Sequence, residues 1–425
     1  MKEAPPLKIN IQSEIGKLDA VLLHRPGHEV ENMTPRYVQR ALYSDILNLS
    51  IAQKEYEQLY GVLSKVADVY EVRGELVKVL DHSGPRETLI RRICETEDVM
   101  SYFETLMLMT SDELSRVLIE GLPARIDTLT SYFRNEYYAL YPLYNFYFTR
   151  DASVTIGNQA LICRMANKVR MRESLIMDAI YRNSGSFGCS VVDANEGQKE
   201  TSGIIMEGGD ILIAREDILI IGNGVRTTSQ GIDFMIDRFR RSYPAGRHHV
   251  LVQQLPSEPE SFIHLDMAFT LLDKDKCMVF KPLVMEANQY QTVHVTIDDG
   301  KVTSIRPVAG LLPALKSLGM DLEPVICGGD DEWDQEREQW HSGANFFAFA
   351  PGKVLTYGRN IHTLDALVRH GFDVVSAEDF INGKADMTVY GDTPCAITID
   401  GSELPRGGGG ARCMTMPLSR QKVNW

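Results

Sequence analysis

The chain has 425 residues, and 44 Lys and Arg against 58 Asp and Glu give a formal charge of −14. Apolar residues make up 44%, ample to bury a core, which excludes a largely disordered chain. The acidic balance, without a sustained basic run, excludes nucleic acid and anionic membrane as main partners, and no stretch approaches the ~18 apolar residues of a membrane helix.

In chain order, MKEAPPLKINIQSEIG lacks the apolar core of a secretory signal. DAVLLHRP predicts a strand, IAQKEYEQLYGVLSKVA a long helix and DVYEV a second strand. Residues 74–138 then break the plan. Here ETLIRRICE, DVMSYFETLMLM and SDELSRVLIEGL predict successive short helices, a helical insertion with Thr110 and Glu113 spaced as a capping box. From Asn145 onward a unit recurs: a polar signature, an apolar strand, a turn, a second strand, usually a helix, and a third strand. Its copies begin at Arg150-Asp151, Glu207-Gly-Gly-Asp210, His264-Leu-Asp266 and Gly343-Ala-Asn345. Their third strands are CSVVD, HVLVQQL, PVIC and DVVSA, and VHVTIDDGKVTSI predicts a hairpin turning at Asp299-Gly300. With the looser N-terminal copy there are five units, which predict a closed α/β ring whose signatures meet at a central mouth. An ordinary doubly wound sheet is the alternative.

The seven cysteines (94, 163, 189, 277, 327, 395 and 413) are odd in number and form no C-x-x-C pair. A disulfide framework or zinc site is therefore not expected, and a reducing cytoplasm fits. Cys163 and Cys277 lie in apolar strands, whereas Cys413 follows four glycines and Arg412, whose charge favours a thiolate. His264 and Asp266, at i and i+2 of an extended strand, share one face. His248 and His249 begin a strand in a Gly/Arg-rich turn and are expected to face solvent. Glu207 and Asp210 flank a glycine pair, either as site acids or as surface acids of a turn, and Arg150-Asp151 is either site or edge ion pair. Together these signatures offer acids, a histidine and a thiol. Buried carboxylates call for a cationic partner, a planar guanidinium suits them, and a thiolate can attack its central carbon.

These residues resemble arginine deiminase, within the guanidino-group-modifying superfamily. The resemblance runs through SEIGKLDAVLLHRPGHEVE (13–31), NFYFTRD (145–151), KVRMRESL (168–175), MEGGD (206–210), GNGVRTT (222–228), IHLD (263–266), GANFFAFAPGKVLTYGRN (343–360) and GGGGARCMTMPLSR (407–420). It implies one domain over residues 1–425, a five-bladed α/β propeller of pentein type with ββαβ units around a pseudo-fivefold axis, carrying the 74–138 insertion. It implies hydrolysis of free L-arginine to L-citrulline and ammonia with Cys413 as nucleophile, His264 as general acid/base, Glu207 as support for the histidine, and Asp151 and Asp266 as guanidinium clamps. Asn145, Arg170 and Arg226 would hold the α-carboxylate, Phe148 would pack on the aliphatic stem, and Gly407 would add backbone contacts. No metal or organic cofactor is expected, and a homo-oligomer, dimer or tetramer, is. The chain departs from the pattern at Ser342, where an acidic residue is common, and at Gly408, where some relatives carry an arginine; Arg406 and Arg412 are the candidate stand-ins. The alternatives are a deiminase or amidinotransferase for another guanidine, and a non-catalytic arginine-binding protein.

Overall fold

The computed structural model describes residues 5–35, 43–134, 137–197, 203–385 and 391–425. Its core is built from five small sheets that follow one rule: two antiparallel strands, then a third parallel to the second. Ser153–Ile156, Gln159–Ile162 and Ser190–Asp193 form one, with helix Met171–Asn183 making the crossover. Ile211–Arg215, Ile218–Asn223 and Arg247–Gln254 form the next around helix Ser229–Ser242, which starts where Thr228 accepts the Gly231 N–H. The hairpin Thr292–Asp298/Lys301–Val308 extends that sheet, with Asp299 and Gly300 both at positive φ as a two-residue hairpin turn requires. Phe269–Leu271, Lys276–Val279 and Glu323–Ile326 form the third.

The fourth unit departs from the sequence reading. The strand parallel to Lys353–Tyr357 is Cys395–Ile399, and Asp373–Ser376 pairs on its far side as the edge. The apolar CAITI is buried nearly throughout whereas DVVS is largely exposed, so the more apolar strand takes the interior. The fifth unit is assembled from both ends of the chain. Met416–Arg420 pairs antiparallel with Leu18–Leu23, which pairs parallel with Asp68–Glu71 after helix Leu49–Val66. Separate small sheets of this kind rule out one open doubly wound sheet.

Helices Val72–Leu80, Ser83–Thr96, Phe103–Met107 and Ser111–Glu120 follow. Thr110 accepts the Glu113 N–H (3.3 Å) while the Glu113 carboxylate accepts the Thr110 N–H (3.0 Å), completing the capping box. Leu76, Leu80, Ile90, Ile93 and Leu118 join Ile176 and Ile180 of the first crossover helix in one apolar cluster. Each such side chain contributes about 1.5–3 kcal/mol by burial, which binds these helices to the first unit. Among the described residues no helix is long and apolar enough to cross a membrane.

Candidate active site

Each polar signature falls in a short turn two to four residues ahead of a unit's first strand. Asp151 precedes Ser153–Ile156, Glu207 precedes Ile211–Arg215, Asp266 precedes Phe269–Leu271, Asn345 precedes Phe347–Ala350 and Cys413 precedes Met416–Arg420. Equivalent positions in equivalent units bring them together. The wall of one cavity of about 450 Å³ includes Cys413, His264, Asp151, Asn145, Phe148, Arg170, Arg226 and Gly407. Glu207 and Asp266 stand behind that wall, both fully buried. The acids of the Glu207–Asp210 turn are therefore interior, not surface.

His264 and Asp266 do not share a strand face. Leu265–Met267 is a single helical turn and His264 is its extended N-terminal flank. Asp210 fixes that turn by accepting the Leu265 N–H (2.8 Å), and burial pushes the Asp210 carboxyl up to about 7. Gly209 lets the backbone pass beneath the imidazole, since a Cβ there would lie 2.5 Å from Nδ1. His264 Nε2 is 2.9 Å from Glu207 Oε2. On its other edge Nδ1 faces Asp151 Oδ1 across 3.7 Å, and neither atom has a hydrogen-bond partner among the described residues. Burial opposes charging the ring, but Asp151 and the Glu207 hydrogen bond outweigh it and push His264 up to about 9. Glu207, which also accepts the Ala166 N–H and lies 3.5 Å from Arg226 Nη1, is held ionised because Arg226 and His264 overcome its burial.

Cys413 Sγ lies 3.6 Å from Asp266 Oδ2 and receives the Asn345 side-chain amide at 3.2 Å. Burial, with the like charges of Asp266 and Asp151, pushes the thiol well above its ordinary range. Asn345 does more than contact sulfur: its Oδ1 accepts both the Arg412 N–H (2.9 Å) and the Cys413 N–H (3.2 Å). The residue was not singled out from sequence as part of the site, although its place at the head of the fourth unit is the signal that marks it.

The arginines are differently disposed. Arg170 gives Nη1 to Asp151 Oδ2 (2.7 Å) and Nε and Nη2 to Glu173, so its fork is already engaged. Arg226 is the more exposed of the two, its side chain at 13% against 5% for Arg170. Arg150 does not pair with Asp151; it is buried, donates to the Arg412 carbonyl, and burial together with the positive charge of Arg412 lowers it to about 9. Arg412 is committed deep in the interior to Glu14 and Asp266, which removes it as a stand-in for the arginine missing at Gly408. Arg406 remains on the cavity wall, paired with Asp45 (2.5 Å). Ser342 is buried in the turn ahead of Asn345, at φ +60°. His248 and His249 are buried, against expectation, on opposite faces of their strand: His248 packs against the rings of Phe239 and Tyr243, and His249 Nδ1 lies 2.9 Å from His294 Nε2 of hairpin strand Thr292–Asp298. Asp151, Glu207 and His264 each offer an atom within 4.8 Å of the others, an arrangement that would also accept a cation.

The arginine deiminase family profile matches residues 39–420. The chain belongs to the arginine deiminase family. Its relatives include the arginine deiminases of Listeria welshimeri, 31% identical over 432 residues (98% of this chain and 99% of that one), and Staphylococcus aureus, 32% identical over 441 residues (98% and 99%). Among solved structures it is similar to an amidinotransferase from Microseira wollei in the saxitoxin biosynthetic pathway (TM-score 0.53, 13% identity, 98% of each chain). It is similar too to the N-terminal domain of an arginine dihydrolase from the ornithine-ammonia cycle in cyanobacteria, bound to substrate (TM-score 0.51, 13% identity, 94% of this chain and 98% of that one). Those two likenesses show the α/β pentein fold, which this arginine deiminase family member shares.

Proposed function

We infer that this chain is an arginine deiminase, hydrolysing free L-arginine to L-citrulline and ammonia through a covalent amidino-cysteine. The observation that carries the reading is the thiol of Cys413 set 3.6 Å from the Asp266 carboxylate, in the cavity that also holds Asp151 and His264. Asp151 and Asp266 clamp the substrate guanidinium, and its positive charge offsets the two carboxylates that, with burial, push the Cys413 thiol up, so substrate itself favours the thiolate. Sulfur attacks the central carbon, the carbon–nitrogen bond to a terminal nitrogen breaks, and protonated His264 gives its proton to the departing ammonia. Neutral His264 then takes a proton from water as the water attacks the same carbon. The carbon–sulfur bond breaks as the second proton of that water passes to solvent, where the released ammonia becomes ammonium; the ureido group of citrulline forms and the thiolate returns. Glu207 keeps the imidazole charged for the first half.

Asn145, Arg170 and Arg226 meet the α-carboxylate, Arg170 through the second N–H of an Nη1 already bonded to Asp151. Phe148 packs on the aliphatic stem, and the Gly407 backbone closes over it. The same reading takes residues 1–425 as one domain, a closed ring of five units with 74–138 as an insertion, supported by the pairing of Leu18–Leu23 with Met416–Arg420. The exposed apolar side chains Ile126, Leu129, Tyr132 and Phe133 support a homo-oligomer, and seven free cysteines support a reducing cytoplasm. Citrulline and ammonia release from L-arginine, measured for the protein and its Cys413→Ala variant after chelator treatment, tests the chemistry. Equal release of both products, lost in the variant and insensitive to chelator, is expected. No release by the intact protein overturns the substrate.

A further inference from the structure

Asp266 does not stand alone behind the cavity wall. Arg412 Nη1 donates to its Oδ2 at 2.8 Å, and both side chains are 1% exposed or less. The other edge of the guanidinium is gripped by Glu14, whose two oxygens accept Nε and Nη2 at 3.1 Å each, while Nη2 also reaches the Ile211 carbonyl at 2.8 Å. Glu14 is itself fixed by the Ile213 N–H (3.2 Å). Burial works against its ionisation, but Arg412, Arg150 and Arg420 hold it down at about 2. The main chain of Arg412 is pinned through Asn345 Oδ1, the same atom that holds the Cys413 N–H. One residue therefore joins the backbone of the nucleophile to the carboxylate beside it, without lining the cavity.

We propose that Arg412, seated on Glu14, is a positioning residue that fixes the Asp266 carboxylate against Cys413 and offsets the negative charge that carboxylate places on the sulfur. Arginine is suited to this because its planar fork serves two carboxylates at once, one end-on and one side-on; a lysine ammonium matches the charge but not both geometries. Without the fork, Asp266 is free to turn, and its full charge acts on a sulfur 3.6 Å away. Guanidinium clamping and sulfur ionisation then degrade together.

This inference rests on the proposed reaction, and the test separates the two. Rates of Cys413 alkylation by iodoacetamide against pH are measured without turnover, beside citrulline release, for the intact chain, for Arg412→Lys and for the double variant Glu14→Gln/Arg412→Gln. The double variant leaves no unpaired charge at position 14 if the single change does not fold, and circular dichroism establishes that each variant is folded. Expected is a fall in kcat of about 10-fold or more for Arg412→Lys and more for the double variant, as for sub-ångström to 1 Å misplacement of a catalytic group. The alkylation midpoint rises in the same order, by about one pH unit in the double variant. A merely structural role lowers melting temperature and leaves the midpoint in place. Folded variants with the parent's midpoint and kcat overturn the inference, whereas an intact chain that releases no citrulline, with a normal alkylation series, overturns only the reaction.

Discussion

Glu207→Gln isolates the charge that favours the protonated form of His264. The glutamine amide is nearly isosteric and retains an oxygen for the Ala166 N–H, which the carboxylate accepts at 3.0 Å. What is lost is a full negative charge 2.9 Å from His264 Nε2. With His264 held near 9, about nine in ten molecules carry the imidazolium at pH 8. An opposite charge at this range is worth roughly one to three pKa units, so removing it brings the histidine to about 7. The imidazolium fraction at pH 8 then drops to about one in ten, whereas at pH 6 it stays near nine in ten. The expected result is a kcat/KM profile whose alkaline limb moves down by about two pH units, equivalent to about 2.7 kcal/mol. Initial rates of citrulline release from pH 5.5 to 10 provide the assay. A uniform loss with the limb still near pH 9 would refute the reasoning, because Asp151 alone would then hold the imidazolium.

Two further outcomes bear on the loop that covers the site. A Cβ at Gly407 would lie 2.1 Å from Tyr147 Oη and 2.9 Å from the Phe148 ring, so Gly407→Ala is expected to lift the loop and raise KM for arginine about 10-fold or more; steady-state kinetics checks it, and an unchanged KM removes the close approach from the account. Glu55, buried in helix Leu49–Val66, accepts the N–H groups of Ser402, Glu403 and Leu404 at 2.6–3.1 Å. Glu55→Ala leaves these donors unpaired and is expected to cost about 2–4 kcal/mol, read by urea denaturation.

The strand–turn–strand units and the signature residues were legible because each unit opens with a polar group where an apolar run begins. Asp151, Glu207, Asp266 and Cys413 sit in matching turns for that reason. The placement of Cys395–Ile399 was not legible, since both it and Asp373–Ser376 read as short β segments and only the sheet decides which is central. His249 was misread because its partner His294 arrives more than forty residues later, and His248 because the helix-end rings of Phe239 and Tyr243 fold back over it. The occupation of Arg170 by Asp151, and of Arg412 by Glu14 and Asp266, joins positions as far apart as 14 and 412. Local spacing carries no information on such pairs.

The two-ended fifth unit sets the order in which the molecule is made. Leu18–Leu23 leaves the ribosome early, but the strand that flanks it, Met416–Arg420, lies near the C-terminus. Four units can gather their helices while the chain is still being synthesised, and the fifth stays open until the final strand is released. Such a long sequence separation makes this closure a late, slow contact. The Cys413 thiol therefore meets Asp266 only once residues 413–420 have been made and seated, and no shorter nascent fragment brings the two together.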